Sequence, residues 1–137
     1  MELARIAYGL AAAAAAWAPA TASGQEAAPT AEAAAIVDRF LETLRSNSHA
    51  ELGSFVTDRV RTGGGRSLRR DQVVLVHQGY TVVMFGPLRS SSCEAQGRRR
   101  MNCILRFQSR VLRQRYTVDS GRISGIETLP LPRGMLN

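Results

Sequence analysis

Cys93 and Cys103 are the only cysteines in this 137-residue chain. Two thiolates alone make a poor metal site, and no C-x-x-C redox motif is present, so an oxidised pair reads most simply as a disulfide. The two histidines, His49 and His77, have no acidic cluster beside them in sequence, so no metal centre and no cofactor is expected. A general base needs a partner within hydrogen-bond reach. His77, with Tyr80 close behind it and Asp58 ahead of it, is therefore the one trio an enzymatic reading can name. The plainer reading of His77 is a solvent-facing or capping residue. Ser90-Ser91-Ser92 lacks the G-x-S-x-G turn of an activated serine. Gly63-Gly64-Gly65 is not a phosphate loop, because that motif needs a lysine and the chain has none. Acids are scarce as well: between Asp71 and Asp119 the only one is Glu94.

All 18 basic residues are arginine, and the net charge is +7. Residues 61–115 hold twelve arginines against Asp71 and Glu94. Such a field attracts anions, acidic lipids or acidic proteins. Arg98-Arg99-Arg100 is its densest point and the candidate anion-binding element. Single-stranded nucleic-acid sites interleave basic charge with stacking aromatics. Only Phe107 and Tyr116 lie near this run, so a nucleic-acid partner is not expected, and an anionic envelope surface or an acidic protein fits better. The plainer reading is solvated arginine on the outer faces of strands.

The N-terminus gives the compartment. Arg5, an apolar run from Ile6 to Ala18, Pro19, and Ala20-Thr21-Ala22 before Ser23 form a secretory signal peptide with its cleavage motif. The run is shorter than the roughly 20 residues of a membrane span, and no transmembrane segment is expected. Residues 1–22 are thus expected to be cleaved near Ala22, leaving 115 of the 137 residues as one small periplasmic or secreted bacterial domain. An oxidising compartment supports the Cys93–Cys103 bond. Residues 23–30 have linker composition, and 130–137 read as an irregular tail.

The elements between follow from periodicity. Ile36, Val37, Phe40, Leu41 and Leu44 share one face of a helix over Ala31–Arg45. Ser48-His49-Ala50-Glu51 has capping-box spacing and predicts a second helix with Leu52, Phe55, Val56 and Val60 on its apolar side. Residues 67–78 fit either a helix, capped by Ser67 and stopped by Gly79, or a strand through Val73–Val76. Tyr80–Phe85 reads as a strand closed by Gly86-Pro87. Leu88–Ala95 and Arg100–Ser109 read as a hairpin around Gln96-Gly97-Arg98, which places Cys93 opposite Cys103. Leu112, Gln114, Tyr116 and Val118 alternate with Val111, Arg113, Arg115 and Thr117 in the next strand. Asp119-Ser120-Gly121-Arg122 is a turn before a last strand, Ile123–Leu129.

Over residues 31–129 this order resembles the NTF2-like superfamily, the SnoaL-like or cystatin-like α+β cone. The residues that carry the likeness are the Ala33–Leu44 helix, the Glu51–Val60 helix and the close Tyr116-Thr117-Val118-Asp119-Ser120-Gly121-Arg122-Ile123-Ser124-Gly125-Ile126-Glu127. The resemblance implies N-terminal helices packed on a curved antiparallel sheet, with an apolar pocket between the sheet and helix one. The superfamily contains isomerases, dehydratases, cyclases and domains that only bind, so the fold does not fix the function. A ketosteroid-type isomerase needs a carboxylate base and acidic oxyanion donors; no such constellation is visible, and no catalytic residue is carried over. The leading expectation is a non-enzymatic domain that binds an apolar small molecule or a protein, a second copy of itself included. The alternatives are a small isomerase, hydrolase or dehydratase acting on a hydrophobic substrate, and a basic module that docks on anionic envelope surfaces.

Overall fold

The structure is a computed structural model that describes residues 31–135. The expected signal peptide and linker, residues 1–30, lie outside the described residues.

Helix α1 spans Ala31–Arg45, as its periodicity predicts, and buries Ala33, Val37, Phe40, Leu41 and Leu44. The second expected helix does not form. His49–Phe55 is a 3₁₀ segment, and Ser48 makes no side-chain cap. From Val56 the chain is strand β1, Val56–Gly63. The β-branched Val56, Thr57, Val60 and Thr62 favour an extended chain, and Val56 and Val60 are both fully buried there. Gly63, Gly64 and Gly65 all have positive φ and turn the chain into β2, Arg66–Arg69.

Ser67 is therefore a strand residue and not a helix cap. Helix α2 starts later, at Arg70, and runs to Gln78. Its first turn is closed by the Gln72 side chain, which accepts the Arg69 amide at 2.9 Å. Gly79 does not stop it: its backbone is right-handed helical. The expected strand Tyr80–Phe85 is instead a π-helical turn over Gly79–Met84. The wide turn is held by the Phe85 amide donating to the Tyr80 carbonyl at 2.7 Å. It stacks Tyr80 on Phe85 at 5.2 Å and sets both against Phe107. A strand would point neighbouring side chains to opposite faces and lose that cluster. Val82, Val83 and Met84 are left exposed on the turn.

The remaining strands are β3 (Leu88–Ala95), β4 (Arg100–Phe107), β5 (Val111–Asp119) and β6 (Arg122–Leu129). Cys93 pairs with Cys103 across β3 and β4, and the two form a disulfide. The sheet order is β2-β1-β6-β5-β4-β3. It is mixed and not wholly antiparallel as expected, because β1 pairs in parallel with β6.

Curvature comes from bulges, which bend a strand and tighten its twist. The one between β5 and β6 pairs Thr117 with Gly125 and Val118 with Ile123, leaving Ser124 extra. Ile123 and Ile126 therefore both point inward although they are three residues apart, and both are buried. On the inner face Tyr116 is fully buried beneath α1, 5.9 Å from the Phe40 ring.

Truncating Phe40 to alanine removes a ring that also touches His77 at 5.3 Å. The expected cost is about 3–5 kcal/mol, read as a loss of unfolding free energy in urea. A cost below about 1 kcal/mol would mean that α1 does not seal the core as described.

Candidate functional site

Helix α1 fills the part of the sheet where the resemblance placed a pocket. The hollow lies instead between α2 and the inner face of the sheet, and encloses about 570 Å³. One wall is Val73, Val76 and His77 of α2, with Tyr80 of the π turn. The opposite wall is Val60, Thr62, Arg66, Ser67, Leu68, Gln114, Ile126 and Thr128 from four strands. Among the described lining residues there is no aspartate or glutamate.

His77 and Tyr80 are thus brought to one cleft, with ring centroids 5.3 Å apart. Asp58 is not brought there: its side chain is 92% exposed and pairs with Arg70 at 2.8 Å. It lies on β1 where the register against β6 shifts between Val56 and Arg61, and its side chain stands in solvent.

His77 is 3% exposed. Its Nδ1 lies 2.8 Å from the Val73 carbonyl oxygen, which can only accept, so Nδ1 carries the proton. In the neutral ring Nε2 is then an acceptor, and it is buried without a partner. Burial holds the His77 pKa down to about 4; the Val73 hydrogen bond opposes this, and the nearby His49 adds to it. His49 is itself engaged, its Nε2 lying 2.6 Å from the Thr81 hydroxyl. Burial raises the Tyr80 phenol, and a hydrogen bond with Thr128 offsets this in part. Burial first, and then Tyr80, raise the Tyr116 phenol far more. Tyr116 remains a neutral phenol whose hydroxyl donates a hydrogen bond to Gln114 Oε1 at 2.5 Å. Gln114 was visible in the sequence only as a polar residue on the inward alternation of β5. Its role at the cleft depends on α2 lying opposite.

The outer face is different. Arg98, Arg99 and Arg100 stand at the β3–β4 hairpin tip, on one wall of a trough of about 750 Å³. Arg61 and Arg66 are on the other wall. The structure unites this arginine run with residues from the Gly63–Gly65 turn, which sequence spacing did not connect. Among the described residues no group of histidine, cysteine, aspartate or glutamate side chains could hold a metal ion, and no helix is long and apolar enough to cross a membrane.

No protein-family model matches the chain, and no curated protein matches its sequence. Solved structures do match in shape. A ketosteroid isomerase candidate from Kribbella flavida is 16% identical with a TM-score of 0.55, over 77% of this chain and 88% of that one. An NTF2-like protein of unknown function from Cytophaga hutchinsonii is 9% identical with a TM-score of 0.52, over 77% and 95%. The chain has the NTF2-like fold. A de novo designed protein with a curved β-sheet matches equally well, at 15% identity and a TM-score of 0.57, over 77% of this chain and 90% of that one. An NTF2-like cone is thus a geometry before it is an activity.

The buried imidazole sets a pH dependence. Unfolded, His77 takes up a proton near its ordinary value of 6.5; folded, it does so near 4. Between these values the unfolded state binds more protons, so stability falls as pH drops from about 6.5 to 4 and is unaffected by His77 above that window. The full loss is about 3 kcal/mol. Urea unfolding of wild type and His77→Gln at pH 7 and pH 4.5 checks this: the variant should lack most of that slope. Equal slopes would place His77 in contact with solvent.

Proposed function

We propose that this is an exported binding domain that holds a small, largely apolar molecule bearing one hydroxyl in the cleft between α2 and the sheet. The observation that carries the reading is the unpartnered Nε2 of His77 on the wall of a hollow that also presents Val60, Leu68, Val73, Val76 and Ile126. A buried acceptor without a donor costs about 1–3 kcal/mol, and a ligand hydroxyl would remove that penalty. The volume lies within the ordinary range of small-molecule sites, roughly 300–1,000 Å³. Burial keeps the imidazole neutral at physiological pH, so Nε2 stays an acceptor.

Catalysis would need more. Proton abstraction or acid catalysis calls for a titrating partner beside the base. Among the described lining residues no carboxylate is there, and Asp58 is committed to Arg70 at the surface. Tyr80, also on the cleft wall, is kept protonated by burial, and the remaining ionisable lining residue, Arg66, is a permanent cation that cannot serve as a base. Those features favour retention of a ligand over its conversion. The signal peptide and the disulfide support export to the periplasm or medium.

Two measurements test the reading. The protein recovered outside the cytoplasm should begin at Ser23 and carry no free thiol by intact-mass analysis; retention of residues 1–22 would overturn export. For the cleft, 2-naphthol and 2-methoxynaphthalene serve as probes of equal ring size. The naphthol should bind about three- to tenfold more tightly, and His77→Phe should abolish that preference while keeping affinity for the ether. A preference that survives in His77→Phe, or no binding of either probe, would overturn the assignment.

A further inference from the structure

The outer face of the sheet carries a charge arrangement of which only Arg66 also borders the cleft. Cross-strand pairing lines up Arg100 on β4, Thr117 on β5, Gly125 on β6 and Arg61 on β1 in one row. These residues alternate with the core-facing Tyr116, Ile126 and Val60, so they stand on the opposite face. Two arginines thus flank a threonine and a glycine. The distance between the flanks is three strand steps, roughly 14 Å from Cα to Cα, and each arginine reaches inward across part of it.

The floor is kept low by packing. A Cβ added to Gly125 would lie 3.3 Å from Thr117 Cβ, closer than most real contacts. In the next row Glu127 is paired with Arg115 at 3.5 Å, so its charge is already answered. Asp119 links the two walls: it pairs with Arg99 of the hairpin tip and lies 3.8 Å from Arg61 Nη2. Among the described residues no carboxylate pairs with Arg66, Arg98 or Arg100. These three guanidinium groups sit on opposite walls of the same trough.

We propose that this trough is an anion site for a compact polyanion of the diphosphate class, held between Arg61 and Arg66 on one wall and Arg98 and Arg100 on the other. Guanidinium forks match phosphate oxygens in bidentate geometry. A ligand with two linked phosphates can be gripped from both walls, whereas a single phosphate is gripped from one. No aromatic side chain lines the trough, so the base stacking of single-stranded nucleic acid has no platform. The site is concave, with arginines facing one another across it, whereas a flat lipid surface calls for basic side chains pointing outward with apolar anchors among them.

Inorganic pyrophosphate titrated into the full mature protein by calorimetry at low salt tests the site. Pyrophosphate should bind at one site per chain, more tightly than orthophosphate, and more weakly as salt is added. The Arg61→Gln/Arg100→Gln pair should lose about tenfold or more in affinity, and so should Arg66→Gln/Arg98→Gln, which changes the same walls at other points. Arg89→Gln, on edge strand β3 away from the trough, should bind as wild type does. Equal weakening by Arg89→Gln would mean general charge and not a site. Absence of pyrophosphate binding would overturn the proposal, and so would binding to phosphatidylglycerol vesicles in its place. Naphthol binding in the cleft should be unchanged in the Arg61→Gln/Arg100→Gln and Arg89→Gln variants, none of whose positions lines the cleft, which separates the two sites.

Discussion

A single extra residue in one strand shapes both faces of the sheet. Ser124 has no partner in the β5–β6 ladder, and its hydroxyl donates to Asp119 Oδ2 at 2.5 Å. That hydrogen bond is the largest cause of the lowered Asp119 pKa, followed among the favourable causes by Arg99 and Arg61. On the inner side, the bulge turns both Ile123 and Ile126 into the core. On the outer side, it presents Gly125 in the row between two arginines. Asp119 then binds the arginines that rise on either side. Curvature, core and charged trough all pass through this one corner.

The two faces use opposite physics. The inner cleft removes side chains from water and leaves one acceptor unanswered, which makes a donor on a ligand worth more than it would be at the surface. The trough keeps its arginines hydrated and depends on the geometry of several guanidinium groups converging. Surface ion pairs such as Arg115–Glu127 contribute little to stability; here they orient side chains. The disulfide serves a third need. β3 is an edge strand exposed along nearly its whole length, and exposed edges invite pairing with other chains. The bond fastens it to β4, and its three serines make it a poor template for aggregation.

Helix α1 and the π turn explain where the hollow is. The helix brings Phe40 and Leu44 down on Tyr116 and closes one end of the sheet. The shorter α2 covers the other end less completely. Its continuation into a π turn swings Tyr80 round to the cleft and leaves valines outside. Such turns are frequent at functional sites because they redirect a side chain without ending the helix.

The sequence by itself determined the local choices that are strongly periodic. Helix α1, the β3–β4 hairpin with its cysteines in register, and the alternation of β5 were all legible, because each depends on neighbours close in the chain. The likeness to the cone fold was legible too, through the order of those elements. The 3₁₀ segment, the late start of α2 and the π turn were not. Val56–Val60, Ser67 and Tyr80–Phe85 carry side chains compatible with either helix or strand, and long-range pairing chose between them: β1 against β6, Tyr80 against Phe107. Only the tertiary structure could gather His77 and Gln114 around one hollow, leave Asp58 in solvent, and set Arg61 opposite Arg100. Those juxtapositions are made by strands distant in sequence meeting across a bent sheet, and no local pattern encodes the bend.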